Sequence, residues 1–272
     1  MNKRINSTNT DTPGKVFLVG AGPGAVDLIT VRGAKLLAQA DIVFYDALVD
    51  TEMLALCPQA ELVAVGKRCG KLSSAQQFIN KRLVDAAQKY QVVVRLKGGD
   101  PMLFGRADEE ITALKEAGIE AEVVPGITAA LAGAASIQQS LTLRGISRSV
   151  AFVTLAQGTG GTENSPSNQP ISNPNADTLV YYMGRKDAAK IAQQLISQSK
   201  AGGIHNKNTP VHILEAASTS RERHWSSTLE ELAEGKADDW FDAASPALIM
   251  IGEALRQSER SGTKVDDSLQ YS

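Results

Sequence analysis

The chain has 272 residues, 43% of them hydrophobic and 21% charged, enough to bury one large core or two smaller ones. Its 28 basic and 30 acidic residues leave a formal charge of -2, so no overall positive field draws it to nucleic acid or to an anionic membrane. Cys57 and Cys69 form neither a disulfide framework nor a zinc spacing, which agrees with a reducing compartment, and His205, His212 and His224 are scattered without metal-ligand spacing.

The polar opening Met1 to Thr10 lacks the apolar stretch of a secretory signal, and no run of about 18 apolar residues occurs. The expectation is a disordered tail over 1–13 on a cytoplasmic protein with no membrane partner. Lys15–Val19 reads as a buried strand running into Gly20-Ala21-Gly22-Pro23-Gly24, and Leu28 to Ala38 as a helix with Asp27 as a plausible cap. Next come a strand at 41–45, a helical stretch at 51–56, a strand at 61–65 and a helix at 74–89. The apolar strand Val92–Leu96 runs into Lys97-Gly98-Gly99-Asp100-Pro101, followed by a helix at 109–117 and a strand at 121–124. This alternation predicts an α/β fold, with a mostly parallel sheet covered by helices on both faces over 14–125.

Pro125-Gly126 marks the boundary to a second α/β unit over 126–255. It is predicted to contain a small-residue helix at 129–135, strands at 150–154, 178–182, 211–214 and 247–251, and helices at 188–197 and 229–234. Residues 157–175 are nearly all Gly, Thr, Ser, Asn, Pro and Gln and predict a mobile loop. A polar tail over 256–272 closes the chain.

Two glycine turns carry the chemistry. Gly20-Ala21-Gly22-Pro23-Gly24-Ala25 meets the loose G-x-G-x-x-G/A pattern, with Asp46 where a dinucleotide fold places its ribose-binding acid. Pro23 removes a backbone N–H where a pyrophosphate wants donors, which counts against a nicotinamide or flavin cofactor. A tight turn needing glycine for its own sake remains open at this loop. The second turn, Gly98-Gly99, lets backbone approach a ligand; Asp100 either accepts hydrogen bonds from that ligand or caps the next turn.

In order along the chain stand Val19 to Gly24, Tyr45-Asp46-Ala47-Leu48-Val49, Val65-Gly66-Lys67-Arg68, Val94 to Pro101 with Phe104-Gly105-Arg106, and Val124-Pro125-Gly126-Ile127-Thr128-Ala129. Together they closely resemble the tetrapyrrole methylase family, in the branch that methylates uroporphyrinogen III, over about residues 14–255. The resemblance implies two α/β domains with a cleft between them, S-adenosylmethionine as methyl donor in that cleft, no metal, and a homodimer. It implies donor contacts at Pro23, Gly98, Gly99, Asp100, Leu103, Thr128, Ala129, Met183, Ala217 and Ala247. It also implies two methylations of uroporphyrinogen III, giving precorrin-2 through precorrin-1.

An anionic macrocycle calls for arginine forks, and Arg106, Arg144 and Arg148 are candidates, with Arg68 beside them. The family pattern gives Asp46 as proton acceptor and Lys67 as proton donor, with Glu109 a further candidate for proton movement. Arg106 and Glu109, three apart, also read as a plain helix-surface pair. The chain departs from the family pattern at Ala47 and Leu143, where arginine and histidine are common, and at Leu155-Ala156, where glycine-histidine is. A relative with another acceptor, or a nicotinamide-dependent oxidoreductase, stays open from the residues alone.

Overall fold

A computed structural model describes residues 12–66, 72–155 and 173–257. Lys67, Arg68 and Cys69, most of the loop expected at 157–175, and the ends of both expected tails lie outside the described residues.

Two five-stranded sheets account for the architecture. The first holds β1 (Lys15–Gly20), β2 (Ile42–Tyr45), β3 (Glu61–Ala64), β4 (Val92–Lys97) and β5 (Ala121–Val124), in the order β3-β2-β4-β1-β5, with every pairing parallel. Helices α1 (Val31–Gln39), α2 (Leu72–Ala87) and α3 (Ala107–Glu116) are the crossovers that parallel pairing requires. Side chains alternate across the strands, so Val19, Val43, Val94 and Leu96 pack with Leu37 of α1 on one face. Val16, Leu18, Phe44 and Val93 pack with Leu83 of α2 and Leu114 of α3 on the other. Strand polarity puts the carboxyl ends of all five strands at one edge, where α/β sheets hold their ligands.

Helix α1 is capped by Thr30, whose hydroxyl accepts from Gly33 N at 3.1 Å, not by Asp27. Asp27 sits in a preceding 3-10 turn, Val26–Leu28, and the helix starts later than its apolar spacing suggests because Thr30 supplies the better-placed acceptor.

The second sheet is built differently. Its strands β6 (Val150–Thr154), β7 (Thr178–Tyr182), β8 (Pro210–Glu215), β9 (Arg223–Thr228) and β10 (Ala247–Gly252) run in the order β6-β7-β10-β8-β9. Only β6–β7 is parallel there; the other pairings are antiparallel. Helix α4 (Ala129–Ser136) covers one face, over Val180, Leu214, Leu248 and Met250. Helices α5 (Ala188–Ser199) and α6 (Leu229–Ala233) cover the other, over Leu179, Tyr181, Ile213 and Ile249. Among the described residues no helix is long and apolar enough to cross a membrane.

Candidate active site

Three strand ends of the first sheet meet backbone to backbone. Gly22 and Gly99 form a bridge, N to O at 3.2 Å and O to N at 2.7 Å, and Ala21 N donates to Lys97 O at 2.8 Å. A Cβ on Gly126 would stand 2.3 Å from Gly99 O and 2.8 Å from Gly20 Cα, and one on Gly20 would stand 2.6 Å from Gly126. No side chain fits at Gly20 or Gly126, so packing requires glycine there, while at Gly99, with φ +67°, the backbone conformation does.

Asp100 stitches the wall together. One carboxylate oxygen accepts from Met102 N at 2.8 Å and the other from Gly126 N at 2.9 Å, so the turn-capping role is realised in the structure. Each oxygen keeps a second lone pair for a ligand. Leu103 N closes the turn onto Asp100 O at 3.3 Å. Thr128 lies just beyond, its Cα 3.9 Å from where a Gly99 Cβ would be, with Ala129 beginning α4 after it.

Loops of the second sheet face this wall. Ala25 N donates to Ser218 Oγ at 3.1 Å across 193 residues of sequence, and Gly24 lies so close to Thr219 that a Cβ would stand 2.4 Å from its methyl. Phe104 stacks obliquely on Tyr182, centroids 5.2 Å apart. The Tyr182 hydroxyl bonds Thr128 Oγ1 at 2.6 Å and accepts from Ala130 N at 3.1 Å, satisfying a free N–H of the first turn of α4. Burial pushes the Tyr182 phenol above its ordinary range, against the pull of those two hydrogen bonds.

Among the described residues, the non-glycine positions with left-handed backbone are Phe104, Arg106, Gln138, Met183, Ala216 and Ser218. All but Gln138 lie in the loops just described. Strain of this kind persists where surrounding structure over-determines it and gathers at functional sites. Met183 follows β7 with a mostly exposed side chain; Ala217 is buried beside Ser218; Ala247 opens β10, and the Pro246 O before it accepts from Ala216 N at 3.0 Å. The ten residues expected to contact the donor thus lie in or beside the facing loops of the two sheets.

The expected catalytic residues are placed unevenly. Asp46 follows β2 at the rim, accepting from Leu48 N at 3.0 Å and Gly98 N at 3.4 Å, with Arg95 Nη2 at 3.7 Å. Arg106 and Glu109 form a bidentate pair at the start of α3, at 2.6 and 2.8 Å, with Arg106 36% and Glu109 42% exposed; the helix-surface pair is therefore present. Arg144 is exposed in the second half, in a turn closed by Ser147 N to Leu143 O at 2.8 Å. Arg148 gives its backbone N–H to Asp177 at 2.9 Å. An open apolar depression of about 510 Å³ between α4 and β6 reaches Thr142, two residues before Arg144, and Phe152 on its lining lies 6.1 Å from the Tyr182 ring. Lys67 is outside the described residues.

Sequence reasoning passed over Arg95, Lys97 and Glu110. They form a buried ion cluster under the rim, Glu110 holding Arg95 Nε at 3.1 Å and Lys97 Nζ at 3.0 Å. Burial, and then the charge of Arg95, pushes the Lys97 ammonium below its ordinary range, while Glu110 pulls it back. The available signal was two charged residues inside an otherwise apolar central strand. Among the described residues no group of three or more His, Cys, Asp or Glu is gathered to hold a metal ion.

A parallel sheet whose glycine-lined strand ends face strained loops of a second sheet is the arrangement in which α/β enzymes hold small ligands. Residues 15–233 match the family described as Tetrapyrrole (Corrin/Porphyrin) Methylases, and the chain belongs to that family. It is 43% identical to a uroporphyrinogen-III C-methyltransferase of Pseudomonas aeruginosa over 243 residues, 89% of this chain and 95% of that protein. It is 42% identical to a siroheme synthase of Chromobacterium violaceum over 96% of its own length but only 53% of that protein, so it spans about half of such relatives. The crystal structure of uroporphyrin-III C-methyltransferase from Thermus thermophilus complexed with S-adenosyl homocysteine superposes with a TM-score of 0.72, at 39% identity, covering 89% of this chain and 94% of that one.

Proposed function

We propose that the chain is a uroporphyrinogen-III C-methyltransferase, transferring two methyl groups from S-adenosylmethionine to uroporphyrinogen III and yielding precorrin-2 by way of precorrin-1. The observation that carries this reading is the side-chain-free wall of Gly20, Gly99 and Gly126 opposite Met183, Ala217 and Ala247, in a chain whose relatives include a methyltransferase of that specificity. Backbone amides and carbonyls exposed by glycine suit a ligand bearing both an amino acid and a nucleoside.

When bound, the donor supplies an electrophilic methyl group; what remains for the protein is alignment and proton handling, and alignment alone lowers barriers substantially. Asp46, fixed by two backbone N–H groups, is the acceptor for the proton that the methylated pyrrole carbon loses, and Lys67 the donor. Arg106, with Glu109 holding its fork, and Arg144 bind acetate and propionate carboxylates of the macrocycle, where bidentate geometry gives orientation as well as attraction. The exposed apolar side chains Leu131, Leu143, Ile146 and Phe152 support assembly as a homodimer.

Anaerobic incubation with uroporphyrinogen III and methyl-labelled S-adenosylmethionine should give a tetrapyrrole carrying two labelled methyl groups. If no methylated tetrapyrrole forms, the reading is wrong. Arg106→Ala should abolish turnover while S-adenosylhomocysteine still binds; unchanged turnover removes Arg106 from the site.

A further inference from the structure

Beneath the rim, the ions on β4 have no task in the chemistry just described. Residues 93, 95 and 97 share the sheet face covered by α2 and α3, and after apolar Val93 come Arg95 and Lys97, with side chains only 5% and 4% exposed. Wholly buried Glu110 binds both, and Gln76 Nε2 donates to the same carboxylate at 3.3 Å. Such a cluster holds a core together poorly: removing ions from water costs much of what their attraction returns, and apolar residues of equal volume often serve as well. Two cations on one anion leave positive charge over, and Asp46 Oδ2, 3.7 Å from Arg95 Nη2, receives it. Arg95 Nη1 meanwhile donates to Leu96 O at 3.0 Å and Phe44 O at 3.5 Å. One guanidinium therefore grips β2 and β4 just before the points where Asp46 and Gly98 emerge.

We propose that Arg95, anchored by Glu110, is a positioning residue for methylation, holding the Asp46 carboxylate at the rim of the site. This rests on the reading of Asp46 as proton acceptor. Two backbone donors, one of them at 3.4 Å, are a loose hold on a carboxylate that is a quarter exposed; the buried guanidinium, 3.7 Å away, adds a charge attraction that biases the carboxylate toward it. A lysine at 95 keeps a positive charge but cannot reach Glu110, two carbonyls and Asp46 at once.

The test is a double-mutant cycle on the full chain, with kcat measured anaerobically on uroporphyrinogen III. Arg95→Lys should lower kcat about tenfold or more, while KM and the Kd for S-adenosylhomocysteine stay within about twofold. In the Asp46→Asn background, Arg95→Lys should have no further effect on kcat, because the group it acts through is gone. Equal factors in the two backgrounds, or kcat, KM and Kd all worsening together with the melting temperature, overturn the proposal. If Asp46→Asn turns over below detection, the split between kcat and KM in Arg95→Lys alone decides it. Glu110→Gln, which keeps the shape of the anchor, gives the same cycle should Arg95→Lys fail to fold. A wild-type chain that methylates no tetrapyrrole refutes the functional reading instead, and no variant is needed to see it.

Discussion

The two halves of the site solve one problem by opposite means. The first sheet brings backbone close by deleting side chains: a Cβ on Gly20 or Gly126 would collide with the neighbouring turn, and Gly99 between them holds φ +67°. The second keeps its side chains and relies on bent backbone, with Met183, Ala216 and Ser218 all at positive φ; the first adds that device only at its rim, at Phe104 and Arg106. The polar content of the halves is also unlike. Under the first lies a three-membered ion cluster on a central strand; under the second lies an apolar core of Leu179, Tyr181, Ile213 and Ile249, with buried Glu215 paired to Arg223 at the end of β8 and the buried histidines set off to the side.

If the first half depends on absent side chains, the largest effect should come from adding one. Gly126→Ala puts a methyl 2.3 Å from a carbonyl oxygen and against Gly20 Cα, neither of which can rotate away. A loss of about 3 kcal/mol in urea unfolding is expected, together with loss of S-adenosylhomocysteine binding. A variant with wild-type stability and binding would mean that the wall is pliable and the contrast false.

The second expected effect belongs to the other half and appears as pH dependence. Burial pushes His205 and His212 below the ordinary 6.5, and His224 less completely buried follows them. His212 Nε2 bonds Leu255 O at 2.9 Å, so its Nδ1 is the acceptor toward His224 Nε2, also at 2.9 Å; a proton on Nδ1 turns it into a donor and forces His224 to change tautomer or give up the contact. Since these pKa values are lower in the folded state, the unfolded chain takes up protons first. The stability is present above pH 6.5 and is lost as pH falls from there through the folded values. The decline should amount to at most about 1.4 kcal/mol per pH unit for each histidine, and His212→Gln should flatten it. A slope unchanged by that substitution would assign the acid sensitivity elsewhere.

Much of this contrast was legible in the sequence, and the illegible part has a physical cause. Strands over 15–19 and 92–96 stand out because central parallel strands, buried on both faces, are nearly continuous apolar runs, and the glycine turns stand out because packing or backbone conformation calls for glycine there. Strand β9, Arg223–Thr228, was missed: as an edge strand with largely exposed side chains it carries neither an apolar run nor a clean alternation. The start of α1 was set at Asp27 where Thr30 holds it, because two capping residues three apart look alike until the backbone turn between them is known. At the site, Asp46 and the loop 98–100 were recoverable by pattern, whereas Arg95 and Glu110 were not, since their meaning lies in a pairing fifteen residues apart through α3. Strain at Met183 and Ala216 leaves no mark on composition at all.

The seating of α4 on the second sheet, beside the site, can be weakened by a single atom. Tyr182→Phe removes the hydroxyl that joins Thr128 and Ala130 N, leaving an N–H of α4 without that partner. A cost of about 1 kcal/mol is expected, with weaker donor binding because Thr128 loses its orientation. Full stability with full affinity would show that the Phe104 and Phe152 ring contacts hold Tyr182 and Thr128 unaided.

The smallest effect should have the opposite sign, and it separates the two strategies most cleanly. Met183 holds φ +57° with a side chain 56% exposed, so Met183→Gly removes little buried contact while giving the backbone a residue that adopts this conformation without strain. Relief is opposed by the greater freedom of glycine in the unfolded chain, leaving a net gain of about 0.5 kcal/mol or less. If strain at 183 aims this loop at the donor, stability should rise slightly while S-adenosylhomocysteine affinity falls. A glycine there that improves both would mean the second half tolerates strain without using it, and only the first half would then be shaped for the ligand.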